Sequence, residues 1–314
     1  MNLQLFFKGK NGFLFLIVAI IAGNSSCIFP QNATDYFKLG LKNYTMNNFE
    51  EAVRSYDKAL QISPYSAELY CFRGFAKKRS NNLIGAITDF SSAITYDNKN
   101  DEFYLYRGML RAKIADDDGA LEDFNKTIEL NPSNYYAYIQ RSNLFINKKK
   151  YLEALADLSL AVKSGKNNTD ILLRSCLIKI ELEDYSGAMK DLDDALTYTP
   201  ENYKIFLMKG KIYQKQSDNK NAISMFNRAI EINPTLSEAY FNRGVVKGSL
   251  EDYRGSIEDF TKCIQISPDD ALAYYNRGLS YMLIKSKAEG CLDFSRAGEL
   301  GYPQAYDMIK RYCK

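Results

Sequence analysis

Arginine and aspartate recur at a fixed distance along this chain. Arg73, Arg107, Arg141, Arg243 and Arg277 are each followed sixteen residues later by an aspartate: Asp89, Asp123, Asp157, Asp259 and Asp293. A guanidinium and a carboxylate can form a two-pronged, charge-assisted pair, and a buried arginine needs such a partner. The same arginine could instead grip a carboxylate from an outside ligand. Other chemistry is scarce. The chain has no histidine, which excludes Ser-His-Asp and Cys-His nucleophiles, imidazole proton shuttles and imidazole metal sites. No CxxC spacing occurs among its six cysteines, so no zinc site is expected. No carboxylate pair stands apart from the repeating pattern. The expectation is a chain with no catalytic residue, no metal and no cofactor.

Charge narrows the partners. The net charge is +3, and two of the bases, Lys8 and Lys10, stand in a leader without acids. The rest is nearly balanced, which gives no basis for a nucleic-acid interface. The leader has the layout of an export signal over residues 1–27. Its basic start precedes the apolar run "FLFLIVAIIA" (13–22) and the small, polar "GNSSC" (23–27). Ten apolar residues are too few to span a bilayer. Two outcomes stay open: cleavage after small residues, or lipidation of Cys27, for which "SSC" is a relaxed match and Asn24 an unfavourable neighbour.

Positioning the arginines requires a scaffold with the same period. A spacing of 34 fits eight units from residue 33 to residue 304 without insertion or deletion. A small residue stands at the eighth place (Gly40, Gly74, Gly108, Ser142, Cys176, Gly210, Gly244, Gly278). Another follows at the twentieth, and a bulky apolar residue at the twenty-fourth (Tyr56, Phe90, Phe124, Leu158, Leu192, Phe226, Phe260, Phe294). Within each half, apolar and small residues recur every three or four, the period of a helix. A polar break near the fifteenth place separates two helices, and Pro64, Pro132, Pro200, Pro234 or Pro268 closes many units. In such a hairpin the arginine at the seventh place and the aspartate at the twenty-third lie at similar heights. Pairing with the preceding unit would satisfy only three of the five arginines, so a pair within the unit is favoured. A single hairpin cannot bury its apolar face, but a stack can.

The 34-residue period and these residues resemble the tetratricopeptide repeat family. The resemblance implies an all-α solenoid, a right-handed superhelix of about eight helix-turn-helix units. It also implies binding of a protein or peptide in a concave groove lined by first helices. Groove residues implied in this way are Phe37, Tyr44, Phe75, Arg79, Met109, Lys113, Asn143, Asn147, Leu177, Lys204, Lys211, Lys215, Phe241, Val245, Tyr275 and Leu279. Lys204, Lys211 and Lys215 make the sixth unit basic, a place for an acidic segment. The junctions "YDNKN" (96–100) and "KSGKNNT" (163–169) lack the closing proline, so the stack is expected to bend or loosen there.

The expected organisation is a signal at 1–27, a linker at 28–32, repeats at 33–304 and a capping helix at 305–314. Gly301 and Pro303 suit the end of one helix and the start of the next. This ending resembles that of Sel1-like exported bacterial proteins. Cys176 and Cys263 stand at small core places, whereas Cys71 falls on the groove side, where its thiol would be exposed. Cys291 and Cys313 lie on either side of Gly301 at matching heights on antiparallel helices. They form either a disulfide, which export permits, or two thiols packing the cap. The resulting expectation is a monomeric scaffold in the periplasm or cell envelope, or, if Cys27 is lipidated, one anchored at the outer membrane. The alternative is a self-associating structural envelope protein.

Overall fold

Ten of the helices among the described residues start at a residue whose side chain accepts from their first turn. The computed structural model describes residues 30–163 and 168–313. The expected signal at 1–27 with Cys27, residues 28–29, Gly165 and Lys314 lie outside the described residues. The chain divides into two compact units after Lys166. Seventeen α-helices and no strands occur among the described residues.

The first unit contains α1 (Gln31–Thr45), α2 (Phe49–Ile62), α3 (Ala67–Arg79), α4 (Leu83–Tyr96), α5 (Asp101–Lys113), α6 (Asp117–Leu130), α7 (Tyr135–Asn147) and α8 (Tyr151–Lys163). The second contains α9 (Asn168–Glu181), α10 (Tyr185–Tyr198), α11 (Tyr203–Lys215), α12 (Asn219–Ile232), α13 (Ser237–Ser249), α14 (Tyr253–Ile266), α15 (Ala271–Leu283), α16 (Lys287–Glu299) and α17 (Gln304–Tyr312). Consecutive helices pair into hairpins, and each hairpin packs on the next within its unit. The helix α1 takes in Gln31 and Asn32, which the sequence reading placed in a linker, because Pro30 starts the helix directly.

The turns inside the hairpins share one device. Asn47, Asn81, Ala115, Lys149, Glu183, Ser217, Glu251 and Lys285 all have φ between 57° and 64°. This left-handed residue ends each first helix. In several hairpins the next residue then caps the second helix: Asn82, Asp116, Asp184 and Asp252 accept from the backbone N–H groups of Gly85, Gly119, Gly187 and Gly255.

Each second helix ends two residues before the closing proline where there is one. The junction at 96–100 is not loosened by its missing proline. The Asp97 N–H bonds to the Ala93 carbonyl at 2.9 Å, and Asn100 caps α5 through the Glu102 N–H at 3.1 Å. The same kind of cap stands after Pro64, Pro132 and Pro200, where Ser66, Asn134 and Asn202 accept from the next helix.

Packing within a hairpin is a ring set against a bare backbone. Phe226 is fully buried, and a Cβ at Gly210 would stand 2.5 Å from its ring. Where the eighth place holds Ser142 or Cys176, the facing residue is Leu158 or Leu192, which removes the ring and makes room for the side chain. At the end of the second unit, Tyr302, Met308 and Ile309 pack against Phe294 and Ala297, with Ala305 buried. The helix α17 thus covers apolar surface that the last hairpin would otherwise expose. Cys291 and Cys313 are joined by a disulfide with Cα atoms 5.7 Å apart, which ties α17 to α16.

Candidate functional site

Each of the five arginines engages all three guanidinium nitrogens inside the protein. The Nε and Nη2 atoms of Arg243 donate to Asp259 at 2.9 and 2.5 Å. Arg73, Arg107, Arg141 and Arg277 grip Asp89, Asp123, Asp157 and Asp293 in the same two-pronged way. The carboxylates are buried, at 8% side-chain exposure or less, and the arginines are nearly so. The hydrogen bonds they donate to Asp157 and Asp293 hold the Arg141 and Arg277 guanidiniums above their already high range. Each guanidinium also lies 5.2 to 5.8 Å from the centre of the tyrosine ring three residues before it.

Sequence reasoning missed the third nitrogen. Nη1 reaches the preceding hairpin, where Asp57, Ser91, Asn125, Asn227 or Thr261 accepts at 2.6 to 3.1 Å. The available signal was a polar residue sixteen places before each arginine, the mirror of the aspartate sixteen places after. The arginine thus closes its own hairpin and ties it to the one before. All three guanidinium nitrogens are engaged within the protein and the side chains are largely buried, so the ligand-gripping alternative is set aside.

The missing arginines are compensated. In the fifth hairpin Ser175 replaces arginine, and Lys179 pairs with Asp191 at 2.7 Å. In the sixth, Lys209 reaches back to Asp193 at 2.5 Å. Asp89, Asp123 and Asp259 carry a second cation each, Lys77, Arg111 and Lys247.

The residues expected to line a groove separate into two sets. Phe37, Tyr44 and Phe75 are buried, so their expected role in contacting a partner does not hold. Phe37 packs edge-on against Phe72 at 5.0 Å, and Phe75 against Phe90 and Tyr106 at 5.2 and 4.6 Å. Their aromatic bulk is spent between neighbouring first helices. Met109 packs partly buried against the Leu105 and Phe124 cluster, and Asn143 is half-buried. Phe241 rests on Phe260, Tyr275 on Phe294 and Tyr302, and Leu279 on the cap cluster, while Val245 is half-buried. Arg79, Lys113 and Asn147 remain exposed in the first unit, and Leu177, Lys204 and Lys215 in the second. Lys211 forms an ion pair with Glu238 on the next first helix. The basic character expected of the sixth unit is reduced accordingly.

The expectation of an exposed Cys71 thiol also fails. Cys71 is buried, and burial followed by the charges of Glu102 and Glu68 pushes it well above the usual thiol range. Burial pushes Cys176 and Cys263 up to about 12. All three are poor nucleophiles for that reason. Among the described residues, no group of acids and cysteines could hold a metal ion, and no helix is long and apolar enough to cross a membrane.

The family model of the tetratricopeptide repeat matches residues 36–66, 203–236 and 237–270. By this match those three stretches are tetratricopeptide repeats. No curated protein matches the sequence. Among solved structures, the C-terminal part of a TPR repeat-containing protein from Cytophaga hutchinsonii is similar with a TM-score of 0.68 at 16% identity, over 76% of this chain and 98% of that one. PilF of Pseudomonas aeruginosa is similar with a TM-score of 0.54 at 18% identity, over 67% and 95%. YrrB, described as a TPR protein with an unusual peptide-binding site, is similar with a TM-score of 0.50 at 25% identity, over 59% and 95%. The first two show a shared repeat fold and nothing of function.

Proposed function

We propose that the protein is a non-catalytic scaffold whose tetratricopeptide repeats bind a protein or peptide segment on the face built by their first helices. One observation carries this reading. The repeating arginines, aspartates and aromatics are consumed in joining hairpins, whereas exposed first-helix residues differ from repeat to repeat. Arg79, Lys113, Asn147, Leu177, Lys204 and Lys215 have no shared structural task. Leu177 and Leu283 each expose 59% of their surface, which suits an apolar contact with a partner segment. The peptide-binding site named for YrrB lends support by similarity.

The proposal extends to location: an exported protein of the periplasm or cell envelope, acting as a monomer. Support comes from the signal-like leader and from the Cys291–Cys313 disulfide, a bond that persists in oxidising compartments. Photocrosslinking residues placed at Lys113 and Leu283 test the binding face, with Glu122 and Lys190 on second helices as controls. Adducts of discrete mass from the first pair alone are expected. Equal adducts from both pairs, or none, would overturn the reading.

A further inference from the structure

The fifth hairpin, α9 with α10, keeps a buried carboxylate without its arginine. Three hairpins lack arginine at the seventh place, where Leu39, Ser175 and Lys209 stand instead. In the first and sixth, the aspartate at the twenty-third place is replaced as well, by Ser55 and Met225. In the fifth, Asp191 remains opposite Ser175. Its side chain is 10% exposed, more than any of the five aspartates that hold an arginine, yet still nearly dry.

Lys179 balances the charge of Asp191 but does not take the arginine's place. The seventh hairpin shows the difference. There Lys247 lies 2.9 Å from Asp259 Oδ2 and donates to the Gly255 carbonyl at 3.4 Å, while Arg243 supplies Nε and Nη2 to the same carboxylate. Lys179 is the counterpart of Lys247. It lies 2.7 Å from Asp191 Oδ2 and donates to the Gly187 carbonyl at 3.4 Å. Nothing in the fifth hairpin is the counterpart of Arg243. Among the described residues, Asp191 Oδ2 accepts no well-aligned hydrogen bond, and no second cation pairs with the carboxylate. Burial first, and the Asp191 carboxylate second, raise the thiol of Cys176, so the carboxylate faces α9 beside Ser175. A buried carboxylate short of hydrogen bonds raises the energy of the free protein, and a forked donor relieves it.

We propose that Asp191, opposite Ser175, receives the guanidinium of an arginine side chain from a basic segment of a partner protein, in the place that the chain's own arginines fill in five other hairpins. A guanidinium brings two parallel donors to one carboxylate, which an ammonium cannot do. The place reaches the surface, because the five internal arginines leave 16–20% of their side chains exposed. Its surroundings favour a basic segment. Between residues 168 and 198 seven acids stand against three bases, and every acid there except Asp191 is exposed. The site lies between a first and a second helix, so it does not depend on the reading of the first-helix face.

The test is fluorescence anisotropy of the full chain with the labelled peptide SKGRGKS at low ionic strength, against the same peptide with lysine or citrulline in place of its arginine. The parent is expected to bind the arginine peptide roughly tenfold more tightly than either. Asp191→Asn should remove that preference, whereas Glu258→Gln, which removes one exposed charge on α14, should keep it. Ser175→Arg supplies the guanidinium from within. It should remove the preference and raise the melting temperature by a few degrees. Equal binding of the three peptides by the parent would overturn the proposal, as would equal losses from Asp191→Asn and Glu258→Gln. Should Asp191→Asn misfold, Ser175→Arg carries the test, and a preference that survives it would overturn the proposal. Free arginine that competes at the peptide's own concentration would assign the site to the amino acid and overturn the partner segment.

Discussion

Asp259 shows how much one residue carries. It accepts both prongs of Arg243 and also pairs with Lys247, while exposing only 3% of its side chain. Removing it leaves two cations without their partner in a nearly dry site. Asp259→Ala is expected to cost about 3–5 kcal/mol in urea unfolding. Asp57, which pairs with Arg73 at 2.6 Å from an exposed position, should cost less than about 1 kcal/mol on the same substitution. Equal costs would show that burial is not what gives the pair its weight. Glu102 provides a pH signature. Burial first, and the Asp101 carboxylate second, push its carboxyl up to about 7 from an ordinary value of 4.5. Between those values the folded protein holds a proton that the unfolded chain has released. Its contribution therefore favours folding at the acid end and is lost as pH rises toward 7. Glu102→Gln should melt about 2–4 °C higher than the parent at pH 8, with little difference near pH 4. A constant offset at both pH values would rule out titration as the cause. The arginine–aspartate pairs were legible because both partners sit in one repeat. The third bond to the preceding hairpin was not, because its acceptors are five side chains of three chemical types.

At the scale of the element, the hairpin turn is the informative part. The helices follow from period and caps, and each turn could be placed near the fifteenth residue of its repeat. What the turn demands of the backbone was hidden. All eight left-handed residues are non-glycine, and they include Ala115, Lys149 and Glu183, which bear the steric cost of that conformation. Ala115→Gly is expected to stabilise the protein by about 0.5–1 kcal/mol, whereas Ala112→Gly inside α5 should destabilise it by about 1 kcal/mol. Thermal melts of the two variants check this, and losses of similar size would deny the turn its special role. The proline-free junction at 96–100 teaches the converse. Absence of a familiar stop signal did not loosen the chain, since Asn100 supplied the next start.

At the scale of the molecule, the end of the second unit is held twice, by apolar contacts and by the Cys291–Cys313 bond. The bond closes a loop spanning 22 residues, which constrains the unfolded chain by about 3 kcal/mol in the loop-entropy view. Stability in a stack is passed between neighbours, so the loss should stay local. Reduction is expected to speed hydrogen exchange in α17 and α16 while leaving α2 to α4 unchanged. Faster exchange throughout both units would contradict this local picture.

The sequence by itself determined the period, the helix pairs, the absence of imidazole chemistry and the arginine–aspartate partners. All of these rest on spacing that repeats, and a regular stack turns spacing along the chain into position in space. Only the tertiary structure decided which first-helix side chains are available. Phe37, Tyr44 and Phe75 share their face with Arg79 and Lys113, yet they are buried because a neighbouring hairpin packs against them. Burial depends on what the next repeat brings. For the same reason Lys211 is neutralised by Glu238 from the next hairpin.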